Sequence, residues 1–184
     1  MNHNSKLTTQ HMALIGVMTA LICVLSPLSI TLPISPVPFS FGTLALYLTT
    51  YILGRWKGLL SFLLYLLLGF VGLPVFAGFT SGPGKLIGPT GGYLIGEVFL
   101  VLILGFLLEA SKYRPAMFLA GMVLGTLVCY FWGSLWLSYL NHISLLSAIN
   151  IGALPYLPFD AAKVLLAFFL APKIRGRLSL AKLI

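Results

Sequence analysis

Acidic residues are almost absent from this chain of 184 residues: Glu97, Glu109 and Asp160 are the full complement. Charge of either sign is scarce, at 8% of residues against 59% hydrophobic. A soluble domain of this length needs a polar shell, and so few charged side chains do not furnish one. Cysteine is limited to Cys23 and Cys129, both inside apolar runs, so no disulfide framework follows. The histidines His3, His11 and His142 are scattered, and no His/Cys/Asp/Glu cluster has metal-ligand spacing. There is no G-x-S-x-G nucleophile turn and no G-x-x-x-x-G-K-[ST] phosphate loop. No metal, cofactor or catalytic set is therefore expected, and any ATP-driven role needs a partner. Strict apolar/polar alternation, the mark of a membrane barrel strand, is missing too.

Long apolar runs are what the chain has instead, which predicts an all-α integral membrane protein with six transmembrane helices. The runs place spans at residues 12–30, 41–53, 59–72, 93–110, 115–140 and 158–170. The second, third and sixth are short for a bilayer that needs ~20 residues, so neighbouring chain or protein shielding has to make up the difference. Residues 12–32 form too long an apolar run for a signal peptide and read as the first span. A Pro-rich passage at 33–38 and a Gly/Pro-rich segment at 73–92 interrupt the pattern. The length suits one transmembrane domain, 1–184, with a short segment 1–11 before the first span and a basic tail 173–184 after the last. Membrane lipid is the expected surroundings.

The basic residues orient the spans. Lys6, Arg55, Lys57, Lys112, Arg114, Lys173, Arg175, Arg177 and Lys182 all fall on one side of a six-span topology. The positive-inside rule makes that side cytoplasmic, with both termini. The net charge of +8 is then topological, and nucleic acid is not an expected partner.

Ionisable residues within spans are costly and need a reason. Asp160 and Lys163 lie three apart on one face of the last helix, either as an orienting ion pair or as polar anchors in a ligand pocket. Lys85 is the basic residue of the outward loops, a solvated lysine or a partner for an anionic group. The glycine-dense segment around it is either a re-entrant packed loop or a binding lid. Glu97, one turn after Tyr93, reads as a carboxyl bonded to a neighbouring helix or facing a polar pocket. Small residues four apart, Gly16/Ala20, Gly92/Gly96 and Gly121/Gly125, permit close helix approach.

Several segments occur in a telling order: a small-residue first helix, Pro-Ile-Ser-Pro-Val-Pro (33–38), Gly-Leu-Pro-Val-Phe-Ala-Gly (72–78), Gly-Pro-Thr-Gly-Gly-Tyr-Leu-Ile-Gly (88–96) and Leu-Pro-Phe-Asp-Ala-Ala-Lys (157–163). This order resembles the BioY family, the biotin-specific S components of energy-coupling factor (ECF) transporters, over nearly the whole chain. The resemblance implies a compact six-helix S-component bundle in the cell membrane that binds biotin near its outer face. It implies no enzymatic activity of its own, and as partners a transmembrane coupling subunit and two ATP-binding subunits. The family's Asp-x-x-Lys pair looks like Asp160 and Lys163. Its small-residue docking motif on the first helix falls near Ala13, Gly16 and Ala20, although a strict Ala-x-x-x-Ala is not kept because Val17 follows Ala13 at the fourth place. The family often has an aromatic residue where this chain has Glu97.

Biotin itself offers two N–H donors and a carbonyl on its ureido ring, suited to Asp160, Lys163 and the loop at Thr90 and Gly91. Phe76, Phe79 and Tyr93 suit its apolar body, and Lys85 its carboxylate. Which cation meets which end stays open. The rival readings are an S component for another vitamin, an integral membrane enzyme acting on lipid, and a structural subunit without ligand.

Overall fold

A computed structural model describes residues 8–33 and 35–184. Lys6, counted above among the orienting charges, lies outside the described residues.

Helix α1 (Thr9–Leu25) starts one turn earlier than the hydropathy alone predicts, because the Thr8 hydroxyl accepts the His11 N–H at 3.3 Å. It stops before Pro27, well short of residue 30. The chain then forms a small antiparallel hairpin, β1 (Ser29–Ile30) against β2 (Phe39–Ser40), with the prolines in its loop. The chain is otherwise mostly helical, as expected, and this hairpin is a small departure from it. Prolines in the connecting segment remove donors that a continued helix would need.

Helix α2 (Gly42–Leu53) has 12 residues, ten of them buried. Its shortness is explained: protein, not lipid, surrounds it. Helix α3 (Arg55–Val71) follows at once, through Gly54 at φ +79°, a conformation open to glycine. It gains a turn over the predicted start at residue 59 because Glu109 caps it. Glu109 Oε1 accepts the Arg55 backbone N–H at 2.8 Å.

The Gly/Pro-rich segment contains a tight turn, Phe76 paired with Thr80, and a short helix α4 (Pro83–Ile87). Helices α5 (Gly91–Ala110) and α6 (Pro115–Asn141) follow, the second begun by proline at its first turn. They interlock through the predicted small residues. A Cβ on Gly96 would lie 2.7 Å from Cys129 Cα, and one on Gly125 would lie 3.0 Å from Leu100 Cγ. After α6 the chain is ordered where a loop was expected, as α7 (Leu145–Gly152) and a 3-10 turn (Leu154–Tyr156).

Helix α8 (Leu157–Leu180) runs ten residues past its predicted end, so residues 173–180 are helix and not tail. Pro172 was the expected stop. The helix continues through it because its far half is anchored to α2: Arg175 Nη1 donates to the Tyr51 and Ile52 carbonyls at 2.9 and 2.7 Å. Its guanidinium also stacks 4.0 Å from the Tyr113 ring.

Three helical stretches are long and apolar enough to cross a membrane: Gly91–Ala110, Pro115–Asn141 and Leu145–Leu180. Large apolar side chains lie exposed on every long helix except α2, among them Val17, Leu67, Phe106, Leu127 and Phe169. A soluble monomer rarely presents so much apolar surface, and a bilayer accounts for it. The core gathers around α2, with Tyr47, Phe62, Leu100, Leu104 and Phe118 fully enclosed.

Candidate functional site

The first turns of α2, α5 and α8 converge at one end of the bundle, and their last turns meet at the other, around Arg175 and Glu109. A cavity of about 770 Å³, its open mouth included, lies at the first of these ends. The β1–β2 hairpin, the segment after α3, and the middle of α6 complete its wall.

Asp160 and Lys163 sit on the wall in the opening turns of α8, 8% and 5% exposed. Lys163 Nζ lies 2.7 Å from Asp160 Oδ1. The contact is an ion pair without a directed hydrogen bond at Oδ1 among the described residues. Asp160 Oδ2 accepts the Tyr130 hydroxyl from α6. The ammonium also stands 4.0 Å from the Phe39 ring centroid on β2. Each buried charge thus has a partner, as burial demands, and the pair still borders the cavity. The ion pair is formed, and both of its members line the cavity.

Lys85, Thr90, Tyr93 and Phe76 line the same cavity. Lys85 is half-buried in α4, and desolvation pushes its ammonium below the ordinary lysine value. Among the described residues it has no acidic partner. The Thr90 hydroxyl donates to the Lys85 carbonyl at 3.1 Å, tying α4 to the start of α5. Phe76 is 1% exposed and meets Tyr65 edge-on at 5.5 Å.

Two predicted residues are off the wall. Phe79 sits in the Phe76–Thr80 turn at φ +56° and is 65% exposed. Gly91 is packed against the Leu86 carbonyl, and its N–H is already donated to Gly88 O at 2.9 Å. That N–H has nothing left to give a ligand.

Three aromatic donors fasten the segments over the cavity. Tyr93 donates to the Gly152 carbonyl at 2.9 Å, Trp136 Nε1 to Gly88 O at 3.0 Å, and Tyr156 to Val37 O. Tyr93 reaches its place because Gly133 leaves room: a Cβ there would fall 2.2 Å from the ring. Glu97 also lines the cavity and accepts the Thr43 hydroxyl from α2 at 3.4 Å. It therefore both meets a neighbouring helix and faces the pocket.

Sequence reasoning missed Tyr130, Phe39, Thr43 and Tyr156. A tyrosine in the apolar run of α6 was the one available signal for Tyr130, and nothing local links it to Asp160. On α1, Ala13, Gly16 and Ala20 are all exposed, whereas Leu14, Ile15, Met18, Thr19 and Ile22 are buried. A Cβ on Gly16 would meet nothing within 4 Å. Among the described residues no group of three His, Cys, Asp or Glu is close enough to hold a metal.

The BioY family model matches residues 1–180. Biotin transporter BioY of Thermotoga maritima is 39% identical over 160 residues, covering 87% of this chain and 92% of that protein. Biotin transporter BioY2 of Lactococcus lactis subsp. cremoris is 36% identical over 163 residues, covering 89% and 87%. The crystal structure of the S component for biotin from an ECF-type ABC transporter superimposes with a TM-score of 0.85 at 28% identity, over 96% of this chain and 95% of that one.

Proposed function

The chain belongs to the BioY family, and from that premise we propose that it captures biotin as the substrate-binding S component of an ECF-type transporter. The observation that carries the reading is the cavity with its buried Asp160–Lys163 pair, in a chain whose relatives are named biotin transporters. The ureido ring of biotin presents two N–H donors and a carbonyl, complementary to a carboxylate and an ammonium held side by side. Phe76, Phe39 and Tyr93 give its apolar body a wall. Lys85, at the α4 side of the cavity, takes the carboxylate, and Thr90 holds the backbone that carries it.

Six spans, α1, α2, α3, α5, α6 and α8, cross the cell membrane as one transmembrane domain, residues 1–184. The hairpin, α4 and α7 are on the outer side with the cavity. Segment 1–11 and the basic stretch 173–184 are cytoplasmic. The gathering of Arg55, Lys57, Lys112, Arg114 and the last basic residues at the end away from the cavity supports this orientation. A transmembrane coupling subunit docks on the exposed small-residue face of α1, at Ala13, Gly16 and Ala20. Two ATP-binding subunits supply the energy, and this chain makes or breaks no covalent bond.

The test is saturation binding of labelled biotin to the purified chain in detergent, with Asp160→Ala and Lys163→Ala alongside. Saturable binding, lost in both variants, is the expected result. A folded, monodisperse wild-type chain that binds no biotin refutes the assignment.

A further inference from the structure

Besides the Asp160–Lys163 pair, the cavity wall carries a second carboxyl, Glu97, that the pair does not need. The two carboxyls differ in what they have to spare. Both oxygens of Asp160 lie against protein groups: Oδ1 is ion-paired to Lys163 without a directed hydrogen bond, and Oδ2 accepts from Tyr130. Among the described residues Glu97 has one hydrogen bond, a long one from Thr43 to Oε1, and its Oε2 has no protein partner. It shares the cavity wall with the apolar side chains of Phe76, Leu94 and Leu100, and also with Lys163. Glu97 is partly exposed on the cavity wall, and a carboxyl oxygen without a protein donor there is free to accept a ligand N–H.

Glu97 and Asp160 come from different helices, α5 and α8. A cyclic urea directs its two N–H bonds to either side of its carbonyl, so two acceptors on separate elements suit it better than one. We propose that Glu97 is the second carboxyl anchor of the ligand, accepting one ring N–H while Asp160 and Lys163 hold the rest of the urea. The proposal rests on the biotin reading and deepens it. It makes Glu97 a specificity residue: ligands that lack that N–H are disfavoured in this chain.

Binding to the full chain in detergent is measured by competition for biotin and for two isosteres, each with one ring N–H replaced by CH2. Glu97→Leu is expected to weaken biotin binding about 10- to 100-fold, as for loss of a hydrogen bond to a carboxylate. For one isostere, wild type and Glu97→Leu are expected to agree within about threefold, because the bond is absent in both. The other isostere retains the full difference. Equal biotin affinity of wild type and variant overturns the inference and leaves biotin capture standing. An equal loss for biotin and both isosteres also overturns it, because Glu97 then acts through cavity shape alone. Should Glu97→Leu not fold, Glu97→Gln keeps the volume and a neutral acceptor. It should show a smaller loss for biotin that again vanishes with one isostere, and no such difference overturns the inference. A wild-type chain that binds no biotin removes both this inference and the function beneath it.

Discussion

Gly69 is a remote control on the cavity. It lies on α3, and a Cβ there would fall 2.1, 2.3 and 2.6 Å from three carbons of the Phe76 ring. Ordinary carbon contacts begin near ~3.5 Å, so in Gly69→Ala the ring must retreat by more than an ångström. Tyr65 stands edge-on to that ring, and Phe76 is 1% exposed. The side of the ring not held by protein borders the cavity. The ring therefore moves into space that the ligand needs. Overpacking of this kind costs about 1–3 kcal/mol in stability, and a loss of ~1.4 kcal/mol in ligand contact is a tenfold weaker Kd. Thermal unfolding in detergent and labelled-biotin saturation read the two effects separately. Gly69→Ala should unfold at lower temperature and bind biotin about tenfold more weakly. Adding Phe76→Leu should restore stability but not full affinity, since the aromatic wall is then gone. Wild-type stability together with wild-type affinity in Gly69→Ala would refute the reasoning.

Two further outcomes follow from charge. Lys163→Met strands the buried Asp160 carboxylate and should cost about 3–5 kcal/mol of stability, whereas Asp160→Asn/Lys163→Met recovers much of it; denaturant or thermal unfolding checks the order of the two variants, and a double variant no better than the single one contradicts it. In its proposed role Lys85 holds the carboxylate only while charged, and its partial burial lowers its proton affinity. Biotin affinity should therefore fall as pH rises through that lowered value. Lys85→Arg, which stays charged, should flatten the alkaline fall, and a persisting fall would remove Lys85 from the role.

Much of the fold was legible because the apolar runs of α5 and α6 are long and punctuated by Gly-Pro at one end and Lys-Tyr-Arg-Pro between them. The burial of α2 was foreshadowed by its shortness. The continuation of α8 past Pro172 was not legible, because the rescue comes from Arg175 meeting carbonyls more than a hundred residues earlier in the chain. Strands of two residues carry no periodicity, so the hairpin at Ser29 and Phe39 left no trace in the pattern. In the site, the Asp160–Lys163 spacing was local and visible. Tyr130 and Thr43 reach the cavity only through tertiary packing. That Phe79 is exposed and off the cavity wall was not legible, because a loop phenylalanine beside Phe76 looks equivalent in the sequence.

The three aromatic bonds that tie together the segments around the cavity bear on rates. Each bond of Tyr93, Trp136 and Tyr156 to a backbone carbonyl is worth about 0.5–1.5 kcal/mol net. If all three must part for entry, the open form holds on the order of one molecule in a hundred. Arrival slows by that factor, and departure slows with it. A cavity sealed this way gives up speed of capture for retention, keeping its solute aboard for long intervals until the rest of a transport cycle is ready for it.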